Sequence, residues 1–159
     1  MSVLVAKFTE ELSCPQTIAL VALRDGEVVA ACTGLLMSAS QLERYLSLPP
    51  SVSAQLFSVM SPDSRVVMQD LAFVHPQLQG QGLGRRMHAA RHAMYEAHEP
   101  EWLVTRTARS PATAVYHWRV REEYRVLAAY NDSLDRVLLG KRFTPARDGQ
   151  GRERPPAGF

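Results

Sequence analysis

Residues 70–86 read Asp70-Leu71-Ala72-Phe73-Val74-His75-Pro76-Gln77-Leu78-Gln79-Gly80-Gln81-Gly82-Leu83-Gly84-Arg85-Arg86. This is an apolar strand that breaks at a proline and enters a glycine-rich turn where a helix begins. Glycines let the backbone take positive φ and crowd close to a ligand, and the first N–H groups of a helix point outward without intrahelical partners. Such a turn is a ready anion site. Arg85 and Arg86 place two cations in the first helical turn, which the helix dipole disfavours unless something anionic is bound there. The pattern predicts a phosphate cradle; the plainer alternative is a tight turn whose glycines only relieve crowding.

Two familiar phosphate loops fail on spacing. No Gly-Lys-Ser or Gly-Lys-Thr follows the glycines, which excludes a Walker loop. Gly80-x-Gly82-x-Gly84 is not Gly-x-Gly-x-x-Gly, and it sits mid-chain rather than opening a repeated βαβ array, which argues against a dinucleotide-binding domain.

At 159 residues, with 46% hydrophobic and 21% charged, the chain is expected to form one soluble globular domain over residues 1–143. Residues 144–159, rich in proline, glycine and charge, are expected to be a polar, flexible tail. A net charge of +2 with scattered arginines points away from nucleic acid. No apolar stretch approaches a membrane span and no basic leader opens the chain, so a cytoplasmic location with no membrane partner is expected. Cys14 and Cys32 lack metal-like spacing and are taken as ordinary thiols, with no disulfide scaffold and no metal site.

Strands are expected at 3–8, 17–23 and 27–36, the last two joined by the turn Arg24-Asp25-Gly26. Ser40-Gln41-Leu42-Glu43 has the capping-box pattern and opens a short helix that Pro49 and Pro50 end; Val52, Leu56, Phe57 and Met60 mark further helical turns. Residues 65–74 read as one central strand. After the glycine turn, Leu83, Met87, Ala90, Met94 and Ala97 step by three and four, predicting one helix face packed on a sheet with His88, His92 and His98 toward solvent. His75, beside Pro76, is expected to cap the turn. A strand at 102–107 follows, then Ser110-Pro111 as N-cap and first helical residue of a helix through Arg121. A final antiparallel pair, 124–130 and 136–139, surrounds the turn Asn131-Asp132-Ser133.

Gln79-Gly80-Gln81-Gly82-Leu83-Gly84, preceded by a strand ending Val-x-Pro, resembles the Gln/Arg-x-x-Gly-x-Gly/Ala motif of the GNAT superfamily of N-acetyltransferases. The likeness covers roughly residues 17–143: a helix, a strand, a second helix carrying a tyrosine, and a closing pair of strands follow in the family's order. The resemblance implies an α/β (α+β) fold class, a central mixed, mostly antiparallel sheet flanked by helices, with splayed central strands. It implies acetyl-CoA as cofactor, with the pantetheine arm on the backbone of Leu71, Ala72, Phe73 and Val74. It implies further that the amides of Gln79, Gly80, Gln81, Gly82, Leu83 and Gly84, with Arg85, hold the pyrophosphate. The logic is sound, because a splayed strand exposes N–H and C=O groups that an amide-containing arm satisfies as an added strand would.

The activity implied is transfer of acetyl from acetyl-CoA to a primary amine by direct attack in a ternary complex, without a covalent enzyme intermediate. That reaction needs a neutral amine, a polarised carbonyl and a proton for the leaving thiolate. Tyr116 falls where the family has its general acid, four residues after Ala112 as in Asn-x-x-Ala-x-x-x-Tyr, with a buried structural tyrosine as its plainer role. Arg109 stands at the asparagine position, so a cofactor contact there would fall to Arg109 or Ser110. Asp70 is the candidate general base, with an ion pair at the cleft edge as its plainer role. His117 points about 100° around the helix from Tyr116 and is ranked low. Val120 and Arg121 stand where the family has Gly-Phe, and the two early helices follow the third strand instead of separating the first two. These departures keep open a noncatalytic acyl-CoA-binding or regulatory module on the same fold. The acceptor is a small-molecule or peptide amine that the sequence does not name. The last strands, as natural edges, make a homodimer a candidate assembly.

Overall fold

The computed structural model describes residues 12–109 and 114–143. The strand expected at 3–8, the helix start at Ser110-Pro111 and the tail from 144 lie outside the described residues. Strands β1 (Thr17–Arg24) and β2 (Glu27–Ser38) form the expected hairpin. Asp25 and Gly26 take φ of 53° and 83°, as a two-residue turn matched to strand twist requires.

Helix α1 (Ala39–Leu46) starts one turn-half earlier than the Ser40 pattern predicts. Ser38 is the N-cap: its Oγ accepts the Gln41 N–H at 3.2 Å, and the Ser38 N–H donates to Gln41 Oε1 at 2.8 Å. Ser40 instead lies against Ser38, Oγ to Oγ at 2.9 Å. Two overlapping Ser-x-x-Gln/Glu patterns compete here, and the one that closes both backbone donors wins. Pro50 opens α2 (Pro50–Phe57) at its first position, where a missing N–H costs nothing.

The single strand expected at 65–74 is two strands, β3 (Arg65–Met68) and β4 (Ala72–Val74). Leu35 pairs with Met68 and Cys32 with Ala72, so Thr33 and Gly34 on β2 face three residues, Gln69, Asp70 and Leu71. One extra residue on one side is a bulge, which bends the strand and ends its pairing. Thr33 closes it from both sides: its N–H donates to the Leu71 carbonyl at 2.9 Å and its Oγ1 accepts the Leu71 N–H at 3.2 Å.

Helix α3 (Leu83–Glu96) follows the glycine turn, then β5 (Trp102–Ala108), α4 (Ala114–Arg121), β6 (Arg125–Ala129) and β7 (Arg136–Arg142). The seven-stranded sheet runs β1-β2-β3-β5-β7-β6, with β4 attached to β2; β3 and β5 are parallel and every other pair is antiparallel. This is the mixed, mostly antiparallel sheet expected. Of the two closing strands only β6 is an edge, because β7 is inserted between β5 and β6 and extends to Arg142 opposite Trp102. Side chains alternate across the sheet. Val66 and Met68 join Leu42, Val52 and Leu56 of α1 and α2 on one face, while Val67, Leu103 and Leu139 meet Tyr95 of α3 on the other.

The buried side of α3 is not the predicted one. Met87, His88, Arg91 and Tyr95 are buried, whereas Ala90, Met94 and Ala97 are exposed. His88, expected toward solvent, is 9% exposed, and His92 is half-buried. On that inner side Met87, His88 and Arg91 line a cleft, while Tyr95 joins the core.

Candidate active site

The sheet opens where the bulge ends pairing. β3 and β5 pair from Val66↔Trp102 to Met68↔Val104, and the Gln69 N–H reaches the Val104 carbonyl at 2.7 Å, with Thr105 Oγ1 donating to the Gln69 carbonyl at 3.1 Å. Beyond Gln69, β4 follows β2 alone, tied by its three pairs and by the His75 N–H on the Val29 carbonyl at 2.8 Å. Among the described residues no strand lies along the other edge of β4.

The turn after β4 is built from its own side chains. His75 caps a short 3-10 turn (Pro76–Leu78), its Nδ1 accepting the Gln77 N–H at 3.4 Å. Gln79 is a brace, not an open donor: its Nε2 donates to the Val74 carbonyl at 3.1 Å and its N–H to the Pro76 carbonyl at 3.2 Å. Gln81 Nε2 likewise holds the Gln77 carbonyl at 2.9 Å. Gly80 and Gly82 take φ of 77° and 78°, and a side chain at either position would meet open space. Conformation, not crowding, demands glycine there, and the space beside it is available to a ligand. Gly82 is the N-cap of α3, and the Arg86 N–H bonds its carbonyl at 3.1 Å, so the N–H groups of Leu83, Gly84 and Arg85 precede the helical ladder.

A cleft of about 790 Å³ joins these parts. Its walls are Ala72, Phe73 and Val74 of β4, Gln79, Gly80 and Gly82 of the turn, and Gly84, Arg85, Met87, His88 and Arg91 of α3. Val115, Trp118 and Arg119 of α4 close the far side over Ala31 and Cys32 of β2. Eight of the expected cofactor residues therefore come together. Leu71, Gln81 and Leu83 are off the wall: the Leu71 backbone is engaged by Thr33, and Leu83 packs against Ala30, Cys32 and Met87. The residues present fit a coenzyme A group, since an extended edge for an amide arm runs into a glycine-capped helix start that suits a diphosphate.

The expected catalytic residues separate. Gln69 and Asp70 leave opposite faces of the strand. Gln69 accepts the Tyr124 hydroxyl at 2.9 Å beneath α3 and α4, while Asp70 accepts the Tyr45 hydroxyl of α1 at 2.6 Å on the other face. Tyr116 is half-buried on α4, packed against the cluster of Val67, Tyr95 and Leu103 with its ring edge-on to His117, and it does not line the cleft. Arg109 is committed elsewhere. Its N–H holds the Asp135 carbonyl at 3.0 Å, and its Nη2 and Nε hold Asp135 Oδ1 at 2.6 and 3.1 Å; the side-chain bonds and the carboxylate charge raise its pKa. The asparagine-position contact is thus not available from Arg109 in this structure, and Ser110 lies outside the described residues. No group of His, Cys, Asp and Glu suited to a metal occurs among the described residues, Cys14 and Cys32 are free thiols, and no helix is long and apolar enough to cross a membrane.

Sequence reasoning missed the inner wall. His88, Arg91, His92 and Tyr95 share one helix face by their three- and four-residue spacing, a pattern visible in the sequence but discounted as polar. His88 stacks edge-on against Trp118 at 4.7 Å, and Arg119 lies over the Trp118 and Tyr124 rings at 4.6 and 5.0 Å. Burial first, then the positive charge of Arg119, Arg91 and Lys141, with His92 as a further neighbour, lowers the His88 pKa to about 3. Burial, then Lys141, Arg91 and Arg119, lowers that of His92 to about 4. Burial also lowers the pKa of Arg119 and raises those of Cys32, Tyr95 and Tyr124.

No family model matches the chain, and no curated protein matches it by sequence. Solved structures do match. The ribosomal-protein-S18-alanine N-acetyltransferase of Escherichia coli superposes with a TM-score of 0.59 at 12% identity, over 92% of this chain and 81% of that one. A protein of Desulfovibrio desulfuricans assigned to the GNAT acetyltransferases gives 0.60 at 12% identity, over 89% and 77%. The PaiA N-acetyltransferase of Thermoplasma acidophilum, solved in complex with coenzyme A, gives 0.57 at 8% identity, over 88% and 69%. With the opened sheet and the glycine-capped helix already in view, the fold of this chain is that of the GNAT N-acetyltransferases.

Proposed function

We propose that this chain is an acyl-CoA-dependent N-acyltransferase, with acetyl-CoA as the donor its motif resemblance implies and a small-molecule or peptide amine as acceptor. The observation that carries this reading is the edge of β4 leading into the glycine-capped start of α3 along one cleft. Ala72, Phe73 and Val74 hold the amide arm, and the turn amides with Arg85 hold the diphosphate. The cofactor supplies a thioester. The amine nitrogen forms a bond to the acyl carbon as the carbon–sulfur bond breaks; one proton leaves nitrogen, one reaches sulfur, and nothing is oxidised. Asp70, on the α1 side of the opening, receives the amine proton; the acid is the role the motif resemblance implies for Tyr116 on α4, whose ring packs off the cleft wall and would have to turn toward the sulfur. Acid and base on opposite faces let the two substrates enter from opposite sides.

Titration calorimetry with coenzyme A and acetyl-CoA at two salt concentrations tests the cleft: micromolar binding is expected, and no binding refutes the reading. Tyr116→Phe is expected to lower kcat by about 10²–10⁴ with coenzyme A affinity unchanged, as loss of a general acid does; unaltered kcat removes Tyr116 from the mechanism. A second reading, a noncatalytic acyl-CoA-binding module, is favoured by Tyr116 lying off the cleft wall and Arg109 being held by Asp135. It predicts binding without turnover across an amine panel.

A further inference from the structure

The polar cluster between α3 and α4 is more than a cofactor arm requires. Arg91 and Arg119 are 3% and 5% exposed, and both line the cleft. Arg91 Nη2 lies 3.3 Å from His88 Nδ1, and Arg119 Nη1 donates to the Tyr124 hydroxyl at 3.4 Å. Neither partner is an anion. The Nε atoms of both arginines, His88 Nε2, His92 Nε2 and Gln69 Nε2 are buried without a hydrogen-bond partner. Lys141 adds a third positive charge, its Nζ on the Glu122 carbonyl at 3.1 Å. The carboxylate nearest the cluster among the described residues is that of Glu122, 4.0 Å from His88 Nε2. The Trp118 and Tyr124 rings offset part of the charge of Arg119 and Lys141, but three cations against one partly exposed carboxylate leave the wall net positive, an arrangement an anion would complete.

The location says which anion. The Arg91 backbone lies seven residues past Gly84, about 10 Å along the helix from the glycine cradle, and its guanidinium reaches back only to the level of His88, a turn beyond that cradle. Arg119, Tyr124 and Gln69 form one hydrogen-bonded chain that ends at the residue after which the sheet opens. The cluster therefore stands beside the opening, where the reacting end of the donor belongs, and the arm between is uncharged. We propose that the acyl group carried by this enzyme's donor ends in a carboxylate, as in malonyl- or succinyl-CoA, and that Arg91 and Arg119 bind that carboxylate. This rests on the acyl-CoA reading above and replaces its acetyl group with a dicarboxylic one.

Titration calorimetry of the full chain with coenzyme A, acetyl-CoA, malonyl-CoA and succinyl-CoA tests it. A charge-assisted bond to two guanidiniums is expected to make at least one of the dicarboxylic donors bind about tenfold or more tighter than acetyl-CoA. Arg119→Gln and Arg91→Gln are expected to erase that preference, with coenzyme A affinity as the internal reference. Equal affinity of the wild-type protein for acetyl-CoA and both dicarboxylic donors overturns the proposal without needing a variant. It is also overturned if the arginine variants weaken coenzyme A itself as much as the dicarboxylic donors, which would assign the guanidiniums to the cofactor's phosphates. Failure of all four ligands to bind overturns the acyl-CoA reading as well.

Discussion

The two histidines of the inner wall give the protein a steep acid limit. In the unfolded chain each imidazole titrates near its ordinary value, about 6.5, whereas in the folded protein His88 is held down to about 3 and His92 to about 4. The unfolded state therefore takes up protons first. Stability is unaffected well above pH 6.5, begins to fall as pH drops through the unfolded value, and continues to fall until the folded values are reached. Between about pH 7.5 and about pH 5 each group costs about 2 kcal/mol, and the pair about 4 kcal/mol, a large share of the 5–15 kcal/mol a domain typically has. Burial and the groups facing the imidazoles set the size of the effect: Arg91, Arg119 and Lys141 oppose protonation, and Glu122, 4.0 Å from His88 Nε2, is the one acidic group within ion-pair distance among the described residues. Urea unfolding at several pH values and fixed ionic strength measures it directly, since most carboxylates titrate below this window. His88→Gln is expected to halve the pH dependence, and His88→Gln with His92→Gln to flatten it. A wild-type loss smaller than about 1 kcal/mol over the same range would refute the burial of two neutral imidazoles against three cations.

Gly34→Ala is expected to destabilise by about 1–3 kcal/mol, a typical cost of overpacking, because its Cβ would stand 2.4 Å from the buried Tyr95 hydroxyl. Tyr95→Phe alone is expected to be near neutral, since that hydroxyl has no partner, and to restore only part of the loss in the double variant, because ring atoms Cε1 and Cζ would still stand 2.9 and 3.0 Å from the new Cβ; both are read by urea midpoint. Gly82→Ala forces a side chain to φ of 78° in open space, so it is expected to cost about 1 kcal/mol of strain and leave the fold intact. Its coenzyme A affinity falls in the same preparation; undiminished binding would remove the turn from the site.

What is legible in this sequence is what single residue types decide. Only glycine tolerates φ near 80° at low cost, so the turn at Gly80 and Gly82 and the hairpin at Gly26 can be placed by inspection, and a proline followed by glycines ends a strand in any context. The break at Gln69 is a different kind of fact. The apolar run continues through it, and only the count of two residues on β2 against three on its partner, visible once both strands are paired, shows that the sheet must open there. The capping box fails for a related reason: Ser38 and Ser40 both satisfy the pattern, and the choice is made by which serine the incoming strand delivers to the helix start.

The face of α3 is the most instructive miss, because hydrophobic periodicity scores His88 and Arg91 as solvent-side residues. The fold buries them, with Arg119 from the facing helix, and leaves Ala90 and Met94 exposed. A stretch optimised only for core packing would have put the apolar residues inward and gained their burial. The rotation gives up that gain and adds the desolvation of the Arg91 guanidinium to that of Arg119 on the facing helix, a cost too large to be an accident of packing. Where local preference and observed structure disagree in this direction, a site is the economical explanation. The rule that misplaced these side chains thus singles them out: the residues that hydropathy sends to solvent and the fold sends to the cleft wall are the ones for which the proposal above supplies a ligand as partner.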